Sequence, residues 1–155
     1  MNDFLSIFFI SLILMFFILG MIYTLNQKYK FKKLLMNEKQ LYNLDELEIT
    51  ETESLGGSYW IGNLTIYKNY IHIERGFILN LYSHFIVNSK HFDSEKNMKG
   101  TITIKDSTFS KEKGLRLKGV KHRVFHNSNI TIRVKDKNVA GLEKVNNLIN
   151  THFLN

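Results

Sequence analysis

The chain of 155 residues has no cysteine and no proline. Without cysteine it forms no disulfide, carries no thiolate nucleophile and offers a metal no sulfur ligand. The missing proline, against an ordinary share of about 5%, goes with abundant Asn, Lys and Ile. It reads as codon bias rather than as a structural device. Acids are scarce as well. Lys and Arg number 21 against 14 Asp and Glu, for a net charge of +7. One stretch lacks charge altogether: residues 4–25, FLSIFFISLILMFFILGMIYTL, whose polar members are Ser6, Ser11 and Thr24.

At about 1.5 Å per residue, residues 4–25 give about 33 Å of helix, enough for a hydrocarbon core of about 30 Å. A soluble core helix would keep a polar face, and this stretch has none. It predicts a single membrane-spanning helix. The segment before it, Met1-Asn2-Asp3, is acidic, and no small-residue cleavage site follows. A cleaved signal peptide therefore does not fit. Gly20 is the only glycine of the span, so no G-x-x-x-G pair favours close helix dimerisation. It has no ionisable group to suggest an ion path. Anchoring is the role left.

Orientation follows from lysine and arginine near the span ends. None precedes it, and Lys28, Lys30, Lys32 and Lys33 follow it. These four set the expected topology, with a short N-terminus outside and the remainder in the cytosol at the plasma (inner) membrane. The triplets Asn63-Leu64-Thr65 and Asn129-Ile130-Thr131 fit the glycosylation acceptor pattern and would argue the other way. The lysine cluster outweighs them.

The expected organisation is an anchor over residues 1–27, a basic juxtamembrane helix and acidic linker over 28–58, and a β domain over 59–155. Phe31, Leu34, Leu35 and Leu41 extend the helical spacing through residues 27–42. Residues 43–57 hold Asp45, Glu46, Glu48, Glu51 and Glu53 without one Lys or Arg. That composition predicts a linker kept off an anionic surface. The alternative is a local cover for the basic domain, docked by Leu44, Leu47 and Ile49.

From Tyr59 the period changes to two. Trp60, Leu64 and Ile66 share a face, Lys68-Asn69 turns the chain, and Ile71 and Ile73 return inward. Further strands are expected over 77–81, 85–87, 101–105, 115–118, 121–125 and 130–134, with a polar loop over 88–99. Asp136 to Asn138 supply helix caps. Val139, Leu142, Val145, Leu148, Ile149 and Phe153 then form an apolar stripe at helical spacing. Gly141 weakens that helix by about 1 kcal/mol.

The Trp60-x-Gly62-x-Leu64-x-Ile66 strand, the hairpin to Ile71-x-Ile73 and the final helix from Val139 resemble the pleckstrin-homology-like superfold, especially its small bacterial PH-like and GRAM-type members. The resemblance covers residues 59–153. It implies a mainly-β PH-like barrel of about seven antiparallel strands, with one end plugged by a C-terminal capping helix. It also implies a membrane- or protein-binding role without catalysis. The phosphoinositide motif of that superfold is not recognisable here, so no ligand site is carried over.

The strongest constellation is Lys111, Lys113, Arg116, Lys118, Lys121 and Arg123, interrupted by the single acid Glu112. With Leu115 and Leu117 inward, Arg116 and Lys118 project together from the other face. Such a patch suits an anionic phospholipid or an acidic protein partner. A merely solvated basic face accounts for it equally simply. Nucleic acid would want aromatics interleaved with the cations, and only Phe109 and Phe125 flank them. Residues 114–119 copy the glycine spacing of a phosphate-binding loop, but Val120 replaces its lysine and no helix pattern follows. The six histidines lack a metal-like spacing. No G-x-S-x-G or H-E-x-x-H occurs, and acids are few, so no catalytic residue, cofactor or metal is expected. Trp60 is expected in the core at the start of the barrel.

The expected function is a membrane-anchored, non-catalytic adaptor module. A structural subunit of a larger membrane complex is the alternative, and an enzyme with an unrecognised site is the third reading.

Overall fold

A computed structural model describes residues 2–54, 56–75, 83–88, 101–123 and 126–154. The chain divides into two compact units, Met1–Met36 and Asn37–Asn155. The first unit is one continuous helix, α1, Asn2–Met36. Its 35 residues make about 52 Å of helix. Leu5–Met36 is long and apolar enough to cross a membrane. Apolar side chains are exposed on every side of it, Leu5, Phe8, Phe9 and Ile10 among them. Lys28, Lys30, Lys32 and Lys33 ride on the same helix, and Lys33 lies in the last turn, where a cation meets the negative end of the helix dipole.

The helical spacing expected to reach Tyr42 stops at Met36, and pairing begins at Gln40. The acidic linker expected over residues 43–57 is instead a long strand, β1, Gln40–Glu53, so the barrel begins well before Tyr59. Leu44, Leu47 and Ile49 are all buried. Leu44 and Leu47 lie three apart, which a regular strand would send to opposite faces. A β-bulge between Leu44 and Leu47 brings both inside. Its pivot is Glu46, in the left-handed region at φ 55°. The Glu46 N–H donates to Asn63 Oδ1 at 3.1 Å, and Thr65 Oγ1 donates to Asn43 Oδ1 at 2.7 Å. The bulge is thus held by β2, the neighbouring strand.

The other strands are β2 (Gly56–Tyr67), β3 (Tyr70–Arg75), β4 (Ser83–Val87), β5 (Thr101–Ser110), β6 (Gly114–His122) and β7 (Asn127–Lys135). They form one closed barrel in sequence order, β1 pairing with both β2 and β7. The hairpin at Lys68-Asn69 and the strands around Ile71, Ile86, Ile102, Leu117 and Ile132 lie where the alternation puts them. Lys121 and His122 continue β6 and do not open a strand of their own. The strand expected over 77–81 and most of the loop expected over 88–99 lie outside the described residues.

The barrel is antiparallel except between β4 and β5, which run parallel with Phe85 opposite Thr101. The seven strands expected from the sequence are present and mostly antiparallel, and the one parallel pair has a geometric reason. Seven strands in a ring cannot alternate direction throughout, so a closed barrel of that number needs a parallel step. The connection from Val87 to Thr101 is of the dozen or so residues that a parallel crossover requires.

Branched and leucine side chains from every strand fill the interior, with Leu47, Ile49, Leu64, Ile66, Ile71 and Leu115 fully buried. Gly62 faces inward where β3 comes close, and a Cβ there would meet the Glu74 carbonyl oxygen at 2.2 Å. Only glycine permits that approach.

The final helix, α2 (Val139–Ile149), packs on β5 and β6 and buries Leu142, Val145 and Ile149. Asn138 caps it, its Oδ1 accepting from Gly141 N–H at 2.9 Å. Gly141 has a packing role besides its helical cost. A Cβ there would lie 2.6 Å from Asn138 Nδ2 and 3.0 Å from Leu44 Cδ2. Ser107 Oγ on β5 donates to Asn146 Oδ1 at 2.7 Å. A π-helical turn, Asn150–Leu154, follows and buries Phe153. Asn88 Nδ2 donates to its His152 carbonyl at 2.6 Å.

Candidate functional site

The six cations of the expected patch fall into two groups. Lys121 sits at the far end of β6, on the side of the strand that carries Leu115 and Leu117. There it meets the acids of β1. Glu51 and Glu53 continue the inward series of Leu47 and Ile49. Lys121 Nζ donates to Glu51 Oε1 at 3.0 Å and to Glu53 Oε1 at 2.7 Å. Arg123 donates to the other oxygen of Glu53, and Ser128 Oγ does so at 3.4 Å. His84 Nε2 lies 2.8 Å from Glu51 Oε2, and since a carboxylate only accepts, the ring N–H donates. Burial alone would raise the Glu51 carboxyl. The His84 hydrogen bond, with the charges of His84 and Lys121, outweighs it and holds the group well below the usual carboxylate range.

This polar cluster closes one end of the barrel interior. Trp60, half-buried against the core, carries the Arg75 guanidinium 4.6 Å above its ring and His84 at 5.7 Å. Lys121 and Arg123 are therefore engaged in holding the fold together. They do not join Arg116 and Lys118 on one surface.

The second group lies on the outer face. Lys111, Glu112 and Lys113 form the exposed turn between β5 and β6. Leu115 and Leu117 are buried while Arg116 and Lys118 point outward, as the alternation requires. The structure adds a residue that sequence reasoning missed. Arg133 on β7 stands directly opposite Arg116. Its signal was its place between inward Ile132 and Val134, but only the register shows which cation it meets.

A depression of about 490 Å³ opens here. From β5 come Thr108, Phe109 and Ser110, from the turn Glu112 and Lys113, and from β6 and β7 Gly114, Arg116 and Arg133. Gly114 has φ 74°, and a Cβ there would meet the Val134 carbonyl oxygen at 2.3 Å. Arg116 Nε donates to Thr108 Oγ1 at 3.3 Å, and Lys113 N–H donates to Ser110 Oγ at 3.1 Å. Among the described residues no carboxylate lies in ion-pair range of Lys113, Arg116, Lys118 or Arg133. Lys111 belongs to the same turn but not to the wall of the depression.

His122 Nε2 lies 3.0 Å from Thr103 Oγ1. Burial lowers its pKa from the ordinary value, partly countered by a hydrogen bond with Asn127. Compared with protein-family models, curated proteins and solved structures, the chain matches none of them.

Proposed function

We propose that this chain is a membrane-anchored, non-catalytic binding module of the PH-like kind, whose barrel contacts anionic lipid at the cytoplasmic face through the outer surface of β5–β7. The carrying observation is the group of cations with no acid opposite them in the sheet, Lys113, Arg116 and Arg133, beside an open depression; Lys118, next to them, has Asp106 as its cross-strand partner. Each lysine or arginine near an anionic leaflet contributes about 1 kcal/mol. A span through the same membrane would raise the effective concentration of even weak contacts. The order of strands followed by one packed helix supports the PH-like assignment, with the parallel β4–β5 pair as its departure.

The test uses the full chain in lipid nanodiscs, neutral or anionic. Hydrogen exchange should slow at residues 111–116 in anionic discs alone. The protection should fade with salt and vanish when Lys113, Arg116, Lys118 and Arg133 are reversed in charge. Equal exchange in both discs would overturn the lipid role.

A structural subunit of a membrane complex is the second reading. Tyr59 and Ile61 favour it, exposed side by side on the outer face of β2 at 61% and 57%. Stoichiometric companions after mild extraction would support it.

A further inference from the structure

The cross-strand pair Arg116–Arg133 is an arrangement that a sheet ordinarily avoids. Like charges directly opposite one another destabilise a pair of strands. The same barrel shows the usual remedy three times. Lys121 receives Glu51 and Glu53, Lys135 stands opposite Glu48, and Lys118 stands opposite Asp106. Arg133 has Thr50 as its β1 neighbour instead. Among the described residues, neither guanidinium has a carboxylate in ion-pair range.

The polar groups around them suit an anion. Thr108 Oγ1 already accepts from Arg116, and Ser110 Oγ already accepts from Lys113 N–H. Each hydroxyl retains a proton to donate. The wall carries Lys113, Arg116 and Arg133 against the one acid Glu112, a net charge of +2. A phosphate monoester brings about −1.5 to −2 at neutral pH and three acceptor oxygens, whereas a diester brings one charge. Arginine forks match phosphate geometry bidentately. The volume falls within the usual range for small-molecule sites, about 300–1,000 Å³.

We infer that the depression between Arg116, Arg133 and Lys113 is a binding site for a phosphate monoester, either on a lipid headgroup or on a small soluble molecule. The inference rests on the anion-binding reading of this face and narrows it. A monoester sits between the two guanidiniums, takes a third cation from Lys113, and accepts from the Thr108 and Ser110 hydroxyls. Glu112 at the wall limits the total charge that the site accepts.

The test uses the full chain in uncharged detergent, observed by NMR at the side-chain Nε–H groups of its arginines. Glycerol 3-phosphate and inorganic phosphate should shift the Arg116 and Arg133 signals saturably, while dimethyl phosphate should not. Arg133→Ala should weaken glycerol 3-phosphate about tenfold or more, and Arg133→Lys should recover only part of the loss. Lys68→Ala, which removes the same charge outside the depression, should leave it unchanged. Thermal unfolding of each variant checks that the barrel is intact. A parallel arm compares nanodiscs with phosphatidic acid, a monoester, and phosphatidylglycerol, a diester. A response to phosphatidic acid far stronger than to glycerol 3-phosphate identifies a lipid headgroup, and equal responses identify a soluble ligand. If monoester and diester act alike, or if only general protection in anionic discs remains, the monoester site is overturned while the lipid-contact reading stands. If anionic discs also have no effect, both fall.

Discussion

The two ends of β6 carry similar charge and put it to opposite uses. At one end Lys121, with Arg123 just beyond, reaches two carboxylates of β1 and becomes part of the barrel wall. At the other, Arg116 faces Arg133 across the β6–β7 pair and finds no acid. A run of basic residues is thus not a site in itself. Its meaning depends on which strand lies alongside and on which face each side chain takes.

The comparison can be broken most severely at the neutralised end. Glu51→Ala leaves His84 without its carboxylate acceptor and Lys121 with Glu53 alone, in a setting only 12% exposed at Glu51. Removing one member of such a pair should cost about 3 kcal/mol, the low end for a buried pair because the groups keep some solvent contact. Thermal unfolding of the full chain in detergent would show it. Outward charges should behave otherwise. Arg133→Thr removes one of two facing arginines and should change stability by no more than about 0.5 kcal/mol, with a gain the expected direction. A loss comparable to that of Glu51→Ala would mean that both ends are structural.

Acid sharpens the same contrast. The Glu51 carboxyl is held below its ordinary value of 4.5 in the folded chain. Its contribution to stability is therefore present above that value and fades as pH falls below it, because the unfolded chain takes up the proton first. A Glu51→Gln variant should show a flatter acid limb in a plot of unfolding temperature against pH. Arg133→Thr should leave the limb unchanged.

A smaller effect probes why β1 was hard to foresee. Glu46→Gly relieves a side chain held at positive φ and should stabilise the barrel slightly, by about 0.5–1 kcal/mol. A clear loss in unfolding temperature would show that the Glu46 side chain contributes more than its backbone conformation.

How much was legible follows from these residues. The long apolar helix could be read because nothing polar interrupts it, and most strands because inward and outward residues alternate strictly. β1 resisted for two reasons. Its bulge spaces Leu44 and Leu47 as a helix would, so the period of two is broken where the strand begins. Its acids read as solvent-facing because their partners, Lys121 and Arg123, lie some 70 positions away. The same distance problem split the basic patch. Alternation correctly put Arg116 and Lys118 outward, but whether a cation is neutralised depends on barrel register, which local pattern does not contain.

The closed ring has a consequence for the time at which this protein can fold. Glu48 of the first strand pairs with Lys135 of the last, and α2 packs on the barrel from beyond that strand. During synthesis β1 emerges before all its barrel neighbours and must keep one of its two edges open until β7 has been made. Contacts of such long sequence separation form slowly, and an unpaired edge invites pairing with other chains. The ring therefore closes only after β7 has been made. Glu51 and Glu53, on the very strand that waits, keep that edge charged until Lys121 and Arg123 arrive to meet them.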